Sequence, residues 1–182
     1  MKSKIKNMVA CALFAAIICI LAPLSVQIGP VPISLGVFAV AFTAVVLGAK
    51  KGSIATALYI LIGAVGLPVF ASYKAGISVI IGMTGGYVWS YIIMAFVIGA
   101  GSYFKSEKKL VKIAAIVLSI IIAILVCYTM GTAQFMLVSG QNLATSLSVC
   151  VIPFIPFDIA KLVVAFVLGT AVKEGLKKAK LI

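Results

Sequence analysis

Histidine and arginine are absent from this 182-residue chain, and only three acids occur: Glu107, Asp158 and Glu174. A zinc or iron–sulfur site would therefore be starved of ligands. The four cysteines, Cys11, Cys19, Cys127 and Cys150, lie inside apolar runs and read as small packing residues, so neither metal nor cofactor is expected. Walker A patterns, nucleophile elbows and histidine-containing catalytic sets are missing too. An enzyme would have to rest on Asp158 and Lys161 in an apolar run, and the chain is read as no enzyme. Charge of either sign is scarce: 10% of residues are charged, where a soluble domain carries about 25%, and 64% are apolar. So few charges cannot build a water-facing surface, which makes lipid the solvent for most of the molecule.

The charge that is present is lysine, fifteen residues giving a net +12. No basic helix face or exposed aromatic platform accompanies it, which argues against nucleic acid as a partner. The lysines instead punctuate apolar runs over roughly 7–24, 34–49, 53–67, 84–104, 110–138 and 147–172. Each run crosses, or nearly crosses, a hydrocarbon core of about 30 Å at about 1.5 Å per residue. Lys2, Lys4 and Lys6 precede the first run as they would in a secretory signal, but no small-x-small cleavage pattern closes it, so it is read as a retained helix. The expected fold is all-α: a polytopic membrane protein, six transmembrane helices in one bundle, with residues 1–182 as a single domain.

Orientation follows from where the lysines fall. Three lie at the N-terminus, two at Lys50–Lys51, four between Lys105 and Lys112, and four in the tail (Lys173, Lys177, Lys178, Lys180). With six spans these segments share one side, which the positive-inside rule assigns to the cytoplasm together with both termini, in contact with anionic lipid headgroups. The localisation expected is a cell membrane, crossed several times. The opposite connections (Pro23–Pro32, Leu67–Met83, Ser139–Asn142) are rich in Gly, Pro and amides and carry one lysine, Lys74. They read as walls of an outward pocket. The stretch from Leu67 to Met83 is apolar but broken by Pro68, Gly76 and Gly82, so it re-enters the membrane or lies across the top of the bundle.

Asp158 is the one acid away from the cytoplasmic lysines. Lys161 lies three residues on, on the same helix face, and Asp158 stands about 22 Å of helix rise from Lys173. A carboxylate within a span costs about 2.5–3.5 kcal/mol on insertion scales. Either the two charges pair merely to pin a helix, or they face a polar cavity and grip a ligand. Pro153 and Pro156 just before them fit a helix start, where an acid also suits the helix dipole. A second constellation, Gly82-Met-Thr84-Gly85-Gly86-Tyr87, opens the fourth run. Its glycines serve helix packing or admit a ligand to free backbone N–H groups. Lys74 beside it meets either a headgroup or an anionic ligand. Ala12 and Ala16 give the first helix small residues four apart, a stripe for close contact inside the bundle or with a partner protein.

Three segments in this order, Gly66-Leu-Pro-Val-Phe70, Gly82-x-Thr-Gly-Gly-Tyr87 and Pro153-Phe-Ile-Pro-Phe-Asp158-Ile-Ala-Lys161, resemble the signatures of the BioY family. These are the biotin-binding S components of energy-coupling-factor (ECF) vitamin transporters. The resemblance runs from the Ala12-x-x-x-Ala16 step to the last helix, with Met83 where the family often has proline and Phe157 where a small residue is common. It implies capture of biotin at a bacterial cytoplasmic membrane, with a transmembrane coupling subunit and two ATPase subunits as partners. It further implies that Asp158 and Lys161 meet the ureido head, that Tyr87 and Thr84 offer hydroxyls and a ring, and that Gln27 caps the site. Lys74, or backbone N–H groups near Gly85 and Gly86, would receive the tail carboxylate, and Ala12–Ala16 would form the docking seam. The rival expectation is a proton-coupled secondary transporter of a small carboxylated vitamin, with Asp158 as protonation switch. The absence of an evident inverted repeat speaks against it.

Overall fold

A computed structural model describes residues 2–27 and 30–179, with side chains from Lys4 onward. Ile28 and Gly29 of the first connection, Lys180 of the tail and the side chain of Lys2 lie outside the described residues. The chain is mostly helical: α1 (Lys2–Leu21), α2 (Gly36–Leu47), α3 (Ala49–Ala64), α4 (Ile77–Ile81), α5 (Gly85–Ser102), α6 (Lys109–Ser139), α7 (Leu143–Cys150) and α8 (Ile155–Lys178). One small hairpin of β1 (Ser25–Gln27) and β2 (Pro32–Ser34) departs from the all-α expectation. By length and composition, four helices among the described residues can cross a membrane: Lys4–Leu21 within α1, and α5, α6 and α8. The second and third apolar runs give shorter helices, of 12 and 16 residues.

The brevity of α2 follows from its position. Its sequence, Gly-Val-Phe-Ala-Val-Ala-Phe-Thr-Ala-Val-Val-Leu, is apolar on every side, and such a helix belongs in the interior. It packs against α1, α3, α5 and α8, with Ala39, Val40, Ala44 and Val46 fully enclosed. The charge-bearing segment expected as a loop at Lys50–Lys51 is instead the first turn of α3. Gly48 alone makes the elbow, at φ +81°, a left-handed conformation that a side chain disfavours. The α5 backbone presses on this elbow at Gly99, where a methyl group would strike the main chain of Ala49. The Tyr103 hydroxyl donates to the Val46 carbonyl (2.6 Å), and the Lys173 ammonium donates to the Ser102 carbonyl (3.0 Å). The lysine-bearing ends of α3 and α8 thus gather with the C-terminal end of α5 at one end of the bundle.

The last apolar run, counted as one span with a helix start at its two prolines, holds parts of two helices. α7 ends at Cys150, and α8 begins only at Ile155. Pro153 lacks an N–H and biases its predecessor away from helix, whereas Pro156 falls in the first turn of α8, where no intrahelical donor is needed. Asp158 therefore sits in that first turn, favourably placed in the field of the helix N-terminus.

At the same end, β1 and β2 pair antiparallel with Ser25 opposite Ser34 and Gln27 opposite Pro32. The Leu67–Met83 segment folds back against this hairpin rather than forming a span. The Ser72 N–H donates to the Ser25 hydroxyl (2.9 Å) and to the Pro23 carbonyl (3.1 Å). Ser72 and Tyr73 are held at φ 59° and 57°, a conformation rare outside glycine, so the hairpin contacts stabilise a turn that the local sequence would not choose.

Candidate functional site

Between the hairpin and the helix bundle lies a narrow cavity with about 50 Å³ of free space. Lys74 of the folded-back segment stands at its lip beside Pro32 and Ser34 of β2; Tyr59, Phe70, Tyr87, Tyr91 and Phe154 are its aromatic walls. Asp158 and Lys161 also line it. Phe70 reaches inward because Gly63 leaves room for its ring, which meets Tyr59 edge-on with centroids 5.7 Å apart.

The polar centre is a three-membered network. One Asp158 oxygen accepts from the Lys161 ammonium (2.9 Å), and the other accepts from the Tyr128 hydroxyl (3.0 Å). Asp158 is 3% exposed and faces the cavity, which Lys161 shares while also bordering a second hollow beside the hairpin. A carboxylate offers about four lone-pair sites and an ammonium three donors, which leaves both groups spare hydrogen-bonding capacity after pairing. Tyr128 escaped sequence reading. It lies mid-way along α6 in an apolar run, and the only hint was that a sunken carboxylate needs a partner for its second oxygen.

The other expected site residues divide. Thr84, Tyr87 and Lys74 line the cavity with the ion pair, and Lys74 is exposed at its lip. The Tyr87 hydroxyl is spent on the Cys150 carbonyl (2.9 Å), capping the end of α7, so that its ring is what the cavity meets. Gln27 is exposed on the hairpin, where its amide oxygen accepts from the Ser72 hydroxyl (3.4 Å); it does not line the cavity. Gly85 and Gly86 stand behind the wall. The Gly85 N–H donates to the Gly82 carbonyl (3.1 Å), and a methyl group on Gly86 would strike the Met130 carbonyl of α6. The Gln134 amide crosses the same contact to the carbonyls of Ile80 (2.9 Å) and Gly82 (2.8 Å). Gly86→Ala is accordingly expected to destabilise the protein by about 1–3 kcal/mol through overpacking, read as a lowered thermal-unfolding midpoint in detergent. An unchanged midpoint would mean that α5 and α6 can part at no cost.

On α1, Ala12 and Ala16 face outward, while Cys11, Phe14, Ala15 and Ile18 are buried in the bundle. Of the two readings of the stripe, contact within the bundle is met by its neighbours and not by these two alanines.

Comparison with known proteins gives a consistent picture. A family model described as the BioY family matches residues 1–178. The chain is 39% identical over 170 residues to the biotin transporter BioY of Thermotoga maritima, covering 93% of this chain and 96% of that protein. It is 36% identical over 177 residues to the biotin transporter BioY of Rhizobium etli, covering 93% and 94%. Among solved structures it resembles the S component for biotin from an ECF-type ABC transporter, with TM-score 0.80, 25% identity and coverage of 95% and 93%.

Proposed function

The chain belongs to the BioY family, and on that premise we propose that it captures biotin for uptake as the S component of an ECF-type transporter. The observation that carries this reading is the Asp158–Lys161 ion pair, held by Tyr128 and facing an aromatic-walled cavity. Biotin has a ureido head with two N–H donors and a carbonyl acceptor, a thioether ring, and a carboxylate on an apolar tail. Asp158 accepts from a ureido N–H, and Lys161 donates to the ureido oxygen. Tyr59, Tyr87, Tyr91 and Phe154 take the ring and the apolar tail, with Thr84 on the same wall. Lys74 at the lip meets the tail carboxylate. Gly85 and Gly86 support this site by letting α5 lie close on α6, and Gln27 by bracing the lip through Ser72.

The chain acts by binding and conformational coupling rather than by catalysis. Its sequence holds no nucleotide motif, so uptake against a gradient requires a transmembrane coupling subunit and two ATPases. We place residues 1–182, one domain, in a bacterial cytoplasmic membrane as six spans with both termini cytoplasmic. The gathering of lysine-bearing helix ends opposite the cavity supports this topology. Calorimetric titration of the purified chain with biotin is expected to give stoichiometric binding. A biotin analogue lacking one ureido N–H is expected to bind at least about tenfold more weakly, because it leaves a buried acceptor unpaired. A flat response to biotin would overturn the assignment, and proton-gradient-dependent uptake by the chain alone would favour a secondary carrier.

A further inference from the structure

The opposite end of the bundle holds a second, larger hollow, which the biotin site does not use. α6 packs on α5, and α8 on α2, without packing closely on each other. A cleft of about 810 Å³ lies between their lysine-bearing ends. Its rim carries Lys105, Lys109, Lys112, Lys173 and Lys177 against only Glu107 and Glu174. Its inner walls are apolar, formed by Val45, Ile113, Ile116 and Phe166.

Two features make this more than a solvated patch of charge. The Lys173 ammonium is fixed in place: it donates to the Ser102 carbonyl (3.0 Å) and stands 3.4 Å above the centre of the Tyr103 ring, with Lys177 5.5 Å from the same ring. The Tyr103 ring is itself anchored through its hydroxyl to Val46. Beside it, the Ser102 side chain lines the cleft, 8% exposed, and its hydroxyl has no hydrogen-bond partner among the described residues. A buried hydroxyl without a partner is costly.

We propose that this cleft is a binding site for an anionic phospholipid, its phosphate held by the rim lysines and its acyl chains lying along the apolar walls. A free phosphate or an acidic peptide would satisfy the rim and leave Ile113, Ile116 and Phe166 uncovered. A zwitterionic lipid would cover the walls and waste the lysines. Only an amphiphile with net negative charge at its head matches both, and basic pockets between membrane helices are known to take such headgroups. The site is independent of what the outer cavity binds.

The test uses the full chain in mild detergent, offered phosphatidylglycerol and phosphatidylcholine with identical acyl chains, with retained lipid read by native mass spectrometry. Phosphatidylglycerol is expected to be retained about fivefold or more over phosphatidylcholine, the preference that one lysine–headgroup contact supplies. The triple variant Lys109→Gln/Lys112→Gln/Lys177→Gln should reduce that preference to about one. Thr170→Trp, which leaves every lysine in place and fills the cleft beside the half-buried Thr170, should reduce it as far. A preference that survives Thr170→Trp would mean diffuse surface attraction and would overturn the proposal. So would displacement of the lipid by glycerol phosphate or inorganic phosphate at equal concentration, since the apolar walls would then contribute nothing. Biotin titration on the same samples keeps the two sites apart: lost biotin binding with intact lipid selectivity would count against the outer site alone.

Discussion

Replacing Asp158 with alanine is expected to weaken biotin binding by about two to three orders of magnitude. Removing one member of a buried, hydrogen-bonded charge pair costs about 2–5 kcal/mol, much of it from the partner left behind. Here Lys161 would lose its counter-ion and Tyr128 its acceptor together. Lys161→Ala should cost a similar amount, leaving a carboxylate at 3% exposure with one neutral donor. Tyr128→Phe keeps the ring and removes only the hydroxyl, so its effect should be smaller, about tenfold, in line with a hydrogen bond to a charged group. None of these single changes separates a pair that grips a ligand from one that merely pins a helix. The double variant Asp158→Asn/Lys161→Met does. Swapping a buried ion pair for less polar groups of similar volume is often neutral or stabilising. Thermal stability of the unliganded protein should therefore recover toward wild type while biotin affinity does not. Calorimetry beside thermal unfolding reads both quantities, and a double variant that regains affinity along with stability would reduce the pair to a structural pin.

The conspicuous parts of this molecule were legible because they break a uniform background. In a chain with three acids, one acid inside an apolar run stands out, and its i,i+3 lysine and two preceding prolines gave the partner and the helix start. Lysine spacing marked the ends of the bundle for the same reason. What escaped depends on partners remote in sequence. Tyr128 looks like any aromatic of a membrane helix until α6 brings it to Asp158, thirty residues on. Gly85 and Gly86 carry no sign of whether a ligand or the Met130 carbonyl occupies the space they leave. The hairpin at Ser25–Ser34 is too short and too mixed to show alternation, and it is braced by Ser72, forty-seven residues from Ser25. The short helix α7 ahead of Pro153 escaped, because apolar residues on both sides of the proline merge it with α8 into a single run. The single-residue elbow at Gly48 was masked because the paired lysines after it interrupt the apolar pattern as a loop would.

Tryptophan at position 12 or 16 is expected to reduce coupled uptake to background while biotin affinity stays within about twofold of wild type. α1 holds to the bundle through Cys11, Phe14, Ala15 and Ile18, all buried, and the two alanines lie on the opposite, exposed face among Val9, Leu13 and Ile20. Their small size therefore does nothing for the chain's own fold. In lipid it has a use, because helices there gain little from the hydrophobic effect and associate through close backbone approach at small residues. An indole at either site would hold a partner helix away by more than the reach of van der Waals contact, whose attraction falls steeply within an ångström. The cavity, by contrast, is lined by none of the described α1 side chains, so the ligand equilibrium should be untouched. Ile121→Trp on the exposed face of α6 controls for bulk in the membrane as such; it should leave uptake intact. Ala12→Leu and Ala16→Leu should give intermediate losses, a graded response that misfolding would not produce. The comparison requires uptake in membranes carrying the coupling subunit and both ATPases, with biotin titration of the isolated variants. Survival of uptake in both tryptophan variants would move the docking seam off α1.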